Sequence, residues 1–538
     1  MNPLRLVVFL IFLCGTSLFA QFDIGIVLPF ENDTRDAQLD WIGESFVEVL
    51  SSDLASSRFM MLDRRERTAA FDSLGLPSTS ILSDATIYKV AQALDVNKLV
   101  QGHYEYSNGV FTARARVLDM EGPHLSKEFT ESGPLASLIQ LQTGLAWQIM
   151  RYLRPGLPFS KSDFISSHPG PRLEAFENYL RGLISRGRAD QIRYFRNALR
   201  LDPEFTNPAF ELGMIYFHDR DYPTAVLWLS KLRRGDPEYL DANYFLGLAF
   251  LYQEQYERSA AAFRVVLQQL PLNEVYNNLG IALIRQDRPG AIGYFEKASQ
   301  SDPSDPVYQF NYGYALWKRD SCAQAIPHLR KAVQGQTNRP AWRAVYMQCL
   351  KTTGQAEEAV RQEKLLQQQG ASEWAMAKDT KLQNLERPKD NYDGASLRQL
   401  RMLIQVQTEL KHAKLPLQEH VALHVQQGRT LLEEGYDREA AEQFQQAIDY
   451  DPDNIDAYLE LARIHTKAGR FSDAMKVIDE SLHRRETAAG YILLAKIYLE
   501  QGKLDEAVAK ASSALRLEPS SAEATILMQQ LNSKVARQ

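Results

Sequence analysis

Down the middle of the chain the apolar positions keep a fixed beat. Leu212-Gly213, Leu246-Gly247, Leu279-Gly280 and Tyr312-Gly313 each set a large residue before a glycine, at spacings of 34, 33 and 33 residues. Pro237 and Pro271 follow the first two glycines by 24 residues, and Pro303 follows Gly280 by 23. A fixed period near 34 predicts stacked helix–turn–helix units, which build binding surfaces far more often than active sites.

The first third has a different pattern. Residues 23–30 read as a buried strand that stops at Pro29 and a polar turn, 31–34. Trp41, Ile42, Phe46, Val49, Leu50 and Leu54 form a helical stripe over 38–55. A second strand is expected at 58–63 and helices near 64–74 and 84–95. Strands at 98–106, 110–119 and 124–131 are joined by turns at Asn108-Gly109 and Glu121-Gly122, and a last amphipathic helix covers 135–153. Arg64, Arg65 and Arg67 are read as a solvated helix start. The stretch Ile26-Val27-Leu28-Pro29-Phe30-Glu31-Asn32 is similar to the amino-terminal domain of TolB and its relatives in flagellar and curli-secretion accessory proteins. So are Ala91-Gln92-Ala93-Leu94-Asp95-Val96, Leu99-Val100-Gln101-Gly102 and Val117-Leu118-Asp119. The resemblance covers about 130 residues and implies an α/β docking module in the cell envelope, often followed by helical repeats. The pore-forming relatives carry a lipidated cysteine that this chain lacks.

The periodic region resembles the tetratricopeptide repeat. There, small residues at positions 8, 20 and 27 let two helices approach, large ones at 4, 7, 11 and 24 fill the remaining space, and a proline near 32 ends the second helix. Units at 206–239, 240–272, 273–305, 306–339 and a weaker 340–370 follow a shortened first one that opens near residue 173. Regularity lapses between 371 and 420, where 386–395 reads as a flexible polar stretch. Units resume at 421–454, 455–487 and 488–521, and 522–538 reads as a capping helix. The expected fold is therefore multidomain. A signal peptide at 1–20 precedes an α/β amino-terminal domain at 21–153 and a Pro/Gly/Ser linker at 154–172. An all-α tetratricopeptide-repeat superhelix follows in two blocks, 173–370 and 421–521, separated by an irregular helical connector at 371–420.

In this family the first helix of each unit lines the concave face. The resemblance places Phe210, Phe217, Tyr244, Tyr252, Asn278, Arg285, Phe310, Asn311, Tyr314, Trp317 and Lys318 there, as candidate contacts to a protein or an extended peptide segment. Any single one of them can instead pack between helices. Tyrosine, tryptophan and arginine are the side chains that anchor interfaces. Asn278 and Asn311 share a repeat position one unit apart, where stacked amides can hydrogen-bond an extended backbone. Arg285 and Lys318 alone do not make the basic clamp that holds carboxyl-terminal tails in chaperone-binding repeats. His420 and His424 are four apart on an expected helix, but two ligands without neighbouring carboxylates or thiolates do not make a zinc site.

The start of the chain adds a location. Arg5, the apolar run 6–13 and Ala20 have the layout of a secretory signal cleaved after residue 20. Leu13 stands where lipidation of Cys14 would need a small residue. The protein is expected to be periplasmic or secreted, in an envelope complex and associated with the outer membrane in some settings, with no membrane-spanning segment after the signal. Export leaves Cys322 and Cys349. The repeat register puts them at adjoining helix ends, as a disulfide or as two buried thiols.

Composition removes other classes. A net charge of −6 over 538 residues gives no basic face for nucleic acid. There is no phosphate loop, no His-Glu-x-x-His and no Cys-x-x-Cys, so neither enzyme nor cofactor is expected. The leading reading is an exported, non-catalytic scaffold or adaptor. The alternatives are an outer-membrane biogenesis or secretion accessory factor and a cytoplasmic signalling regulator.

Overall fold

The computed structural model describes residues 23–535 apart from 35, 56–58, 77–81, 121, 123, 155–159, 289, 370–381, 393–396, 398–399, 401–403, 405–416 and 434–436. The expected signal, Cys14 included, lies outside the described residues. Those up to 400 form one compact unit, and those from 404 onward a second.

The chain begins with a mixed sheet. Strands β1 (Asp23–Val27), β2 (Glu31–Asn32), β3 (Phe59–Met61), β4 (Lys98–Ser107), β5 (Val110–Asp119), β6 (His124–Leu125) and β7 (Phe129–Gly133) are ordered β3-β1-β4-β5-β6, with β2 beside β4 and β7 beside β5. The β1–β3 and β1–β4 pairs are parallel; β4–β5 is an antiparallel hairpin turned at Asn108-Gly109. Alternation divides the faces as a pleat requires. Val27, Val100, Tyr104 and Val117 pack against helices Trp41–Leu54 and Leu138–Leu153, while Ile26, Leu28, Leu99 and Leu118 pack against Arg64–Ser73 and Asp84–Leu94. The single strand expected at 124–131 is two. Leu118 faces Leu125 but Ala115 faces Phe129, so three steps along β5 meet four on the return strand. The Ser126 hydroxyl, accepting from the Val117 N–H at 2.9 Å, anchors this bulge.

The linker is not a free spacer. Residues 161–167 form the helix Lys161–Ser167, with Phe164 buried and the Lys161 ammonium 2.5 Å from Glu131. The sheet's core runs on into the first repeat: Phe176, Tyr179, Leu180, Leu183 and Phe195 share a cluster with Phe46, Phe111 and Ile149. The arginines read as solvated are part of this junction. Arg67 is buried against Glu44 at 2.5 Å, and Arg64 donates to Glu44 at 2.7 Å and to the Leu183 carbonyl at 2.9 Å. Two arginines on one buried carboxylate leave this helix start less exposed than a solvated one.

From Leu173 onward nine helical hairpins are described, six in the first unit and three in the second, followed by the helix Ala522–Val535. Within a hairpin the helices touch where the period puts glycine. A Cβ on Gly247 would lie 2.7 Å from the Phe263 ring, and one on Gly280 would lie 2.8 Å from the Phe295 ring. The aromatic fills the space the missing side chain leaves, so the beat of the sequence is a steric requirement. The second block opens at Leu417, ahead of the expected 421, and its helix Leu417–Glu433 carries both histidines. His420 and His424 are buried and stack on Tyr450 at 5.1 and 5.4 Å.

Candidate functional site: a groove holding an extended segment

The first helices of the third to fifth hairpins, Tyr239–Tyr252, Asn273–Ile284 and Pro306–Trp317, line one wall of the first unit. Along that wall lies residues 382–392 of the same chain. Part of the expected irregular connector is thus an extended strand of backbone seated in the groove, and the flexible stretch expected from 386 begins in its most heavily bonded part. Asn384 takes a left-handed φ of 59°, and beyond it the alternate residues Arg387 and Lys389 turn their backbone groups to the same wall.

Amides hold the backbone. Asn278 accepts from the Lys389 N–H at 2.8 Å and donates to the Lys389 carbonyl at 2.9 Å. Asn311 does the same for Arg387, at 3.0 and 2.8 Å. Asn277 adds a second donor to the Arg387 carbonyl at 3.0 Å and accepts from Asn311 at 2.7 Å. The Tyr244 hydroxyl donates to the Lys389 carbonyl at 2.7 Å. An extended chain turns alternate residues to the same side, and the asparagines take the two that face them. Pro388 stands between, at the position whose N–H is not called upon. Going from 382 to 392 the segment runs against the order of the repeats, from helix Pro306–Trp317 back to Tyr239–Tyr252.

Side chains fix its ends and centre. Leu382 is buried among Phe310, Tyr314 and Trp342, and its carbonyl accepts from the Tyr314 hydroxyl at 2.8 Å. The Glu386 side chain is fully buried; Arg285 approaches its Oε2 with Nε and Nη2, both at 3.0 Å, and the Lys318 ammonium stands 3.9 Å from Oε1. Lys389 pairs with Asp305 at 2.5 Å and lies over the Tyr308 ring at 4.8 Å. Tyr252 donates to Asp390, and Tyr392 meets Tyr244 edge-on at 5.1 Å. Burial raises the Tyr244 and Tyr252 phenols far above their usual range. Burial, with Glu386 adding to it, pushes Tyr314 up to about 12. All three remain donors at any ordinary pH.

Of the residues placed on the concave face from sequence, Tyr244, Tyr252, Asn278, Arg285, Asn311, Tyr314 and Lys318 converge on this segment. Four do not touch its polar groups. Trp317 packs on Tyr314 at 5.3 Å and Phe310 stacks on Trp342 at 4.3 Å. Phe217 meets Phe245 at 5.2 Å, and Phe210 lies under the Arg65 guanidinium at 4.8 Å, turned to the sheet domain. Aromatic side chains that begin a repeat are as useful between helices as on the open wall. Sequence reading missed Asp305, Glu386 and Lys389. The signal was present: a charged Glu-Arg-Pro-Lys-Asp run bounded by leucine and tyrosine is the composition of a ligand as much as of a loop.

Behind the groove, Cys322 and Cys349 form a disulfide with Cα atoms 4.8 Å apart, joining helices Cys322–Gly335 and Pro340–Thr352. At the sheet–repeat junction, Glu48 accepts from the Tyr179 hydroxyl at 3.4 Å. Burial, with Glu44 beside it, pushes the Glu48 carboxyl up to about 7; burial pushes Glu238 up to about 8. Among the described residues no group of three or more His, Cys, Asp or Glu side chains is placed to hold a metal ion, and no helix is long and apolar enough to cross a membrane.

The helical hairpins are tetratricopeptide repeats. Models of that repeat match residues 192–239, 229–274, 431–497 and 492–527. DnaJ homolog subfamily C member 3 from Homo sapiens and Bos taurus is 29% identical over 120 residues, 22% of this chain. The match spans 24% of the length of those relatives. Among solved structures, YrrB, described as a TPR protein with an unusual peptide-binding site, is 16% identical with a TM-score of 0.30, over 35% of this chain and 94% of its own. The first TPR of Spaghetti (RPAP3) bound to an HSP90 peptide is 20% identical with a TM-score of 0.21, over 22% of this chain and 94% of its own.

Proposed function

We propose that this protein is a non-catalytic interaction scaffold whose first repeat block binds an extended segment of polypeptide. One observation carries the reading. Asn278 and Asn311 each bond both the N–H and the carbonyl of a single residue of an extended chain, as an added strand is recognised. Tetratricopeptide-repeat proteins are protein–protein interaction scaffolds, and YrrB is described with a peptide-binding site. The α/β domain, similar to that of TolB, serves as the docking module, its core continuous with the first repeat so that a partner on either half is held to the other. The leader-like start supports export to the periplasm or beyond, the resemblance to TolB supports a role in an envelope complex, and the Cys322–Cys349 bond favours an oxidising compartment.

The test is capture by the full chain with residues 382–392 replaced by a Gly/Ser stretch of equal length, with and without Asn278→Ala and Asn311→Ala. The amide variants lose a bound extended peptide at unchanged melting temperature. Equal capture by both would place the interface elsewhere. Export is checked by fractionation: a cytoplasmic protein that retains residues 1–20 would contradict it.

A further inference from the structure

The resident segment has a chemistry that the groove reads. We infer that the groove selects partner segments carrying an acidic residue with an apolar residue four positions ahead of it, and that residues 382–392 occupy it as a tethered competitor. The inference rests on the peptide-binding role proposed above and names the ligand.

Two kinds of contact have to be separated. The amide contacts to Arg387 and Lys389 involve backbone alone and accept any sequence, proline at 388 included, because no N–H is required there. Selection belongs to the side chains. Glu386 is sealed from water with its charge met by Arg285 and Lys318. A neutral residue in its place would leave the Arg285 guanidinium, itself largely covered, without its counter-charge, and a basic one would set three cations together. Leu382 is buried in the apolar cluster that holds Phe310, Tyr314 and Trp342. The spacing of the two sites along the groove sets the four-residue interval.

The segment is exchangeable because the seat is polar. The helices of the array are already packed by the glycine contacts to Leu229, Phe263, Phe295 and Leu329, and outside the apolar cluster that takes Leu382 the seat is asparagine, tyrosine hydroxyl, arginine and lysine. Emptied, those groups take water as partners, whereas a plug completing a core would meet apolar side chains. A short tether keeps the segment at an effective concentration on the order of millimolar. A partner in trans therefore succeeds only when it reproduces the side-chain contacts as well as the backbone ones.

The experiment uses a labelled peptide of residues 382–392, its Glu386→Gln analogue, and two full-length proteins: wild type and the chain whose segment is replaced by Gly/Ser. Anisotropy is expected to show the native peptide binding the replaced chain, at least tenfold weaker binding of the Glu386→Gln peptide, and at least tenfold weaker binding of the native peptide to wild type. Equal binding of the two peptides would overturn selection by the carboxylate while leaving a peptide-binding groove. No binding of either peptide to a replaced chain that melts as wild type does would overturn the groove's function itself. Wild type that forms dimers by exchanging the segment would show that the occupant is a second copy, and would overturn the assignment to a partner. Should the replaced chain not fold, full-length Glu386→Gln decides: tryptic cleavage after Lys389 at least tenfold faster than in wild type is expected, and an unchanged rate would overturn the inference.

Discussion

Asn278 and Asn311 occupy the same register one repeat apart and do the same work on alternate residues of the segment. Each removes both polar groups of one peptide residue from water and satisfies them. Replacing either asparagine by alanine leaves a covered N–H without its partner, while the carbonyl keeps its bond from Tyr244 or Asn277, at a cost of about 1–3 kcal/mol in seating the segment. Faster proteolysis within 382–392, with no change in the helical melt, is the expected result. The position of these amides was legible from the repeat register; the identity of their ligand was not. A periodic pattern states which face is concave, but an aperiodic eleven-residue run, even one with a ligand's composition, carries no signal of where it will lie. At the junction, Glu48 has the opposite character, a carboxyl held in a setting that disfavours its charge. Its folded pKa lies above the unfolded value, so the folded state binds the extra proton. Stability from this group is then full below about 4.5 and falls as pH rises toward about 7. Glu48→Gln should raise the melting temperature at pH 8 and leave it nearly unchanged at pH 4.5; an equal shift at both would place the cause in packing.

At the level of elements, the glycine beat is a packing rule and its breach has a cost. Gly247→Val would drive a branched side chain into the Phe263 ring, with a loss of about 1–3 kcal/mol from overpacking. Thermal melts check it. The turns between paired helices obey a second rule. Arg220, Glu254, Asp287 and Asp320 all take left-handed φ values of 53–62°, at the place where Gly469 and Gly502 stand in the later repeats. A side chain there costs roughly 1 kcal/mol that glycine avoids, part of which its greater freedom in the unfolded chain cancels. Arg220→Gly or Glu254→Gly is expected to stabilise the first block by about 0.5 kcal/mol. The disulfide closes a stretch of 27 residues, and its reduction should cost about 3 kcal/mol by loop entropy; melts with and without reductant read the difference. These features follow from a few residues in fixed register, which is why the repeats were readable. The bulge at Ser126 and the docking of Lys161–Ser167 depend on distant partners, and a local pattern could not reveal them.

At the scale of the molecule, the described residues up to 400 behave as one body. The sheet's apolar face continues into the first hairpin, Arg64 ties the two together through Glu44 and the Leu183 carbonyl, and the later hairpins of this unit carry the groove. Composition and spacing foretold a domain followed by an array, but boundaries drawn at changes of pattern implied a looser link than the core shows. A linker rich in proline and glycine can still place one phenylalanine, Phe164, in its neighbour's core. The groove likewise was expected open and is filled from within. Its wall answers to the physics expected of it, with a tethered occupant. Hydrogen exchange at two backbone amides tests this directly in the unmodified chain. The Arg387 and Lys389 N–H groups should be strongly protected, and Asn311→Ala and Asn278→Ala should each release the amide it faces while protection in helices Asn273–Ile284 and Pro306–Trp317 persists. Exchange of both amides at the rate of a free peptide in the wild-type protein would contradict the seated segment and everything argued from it.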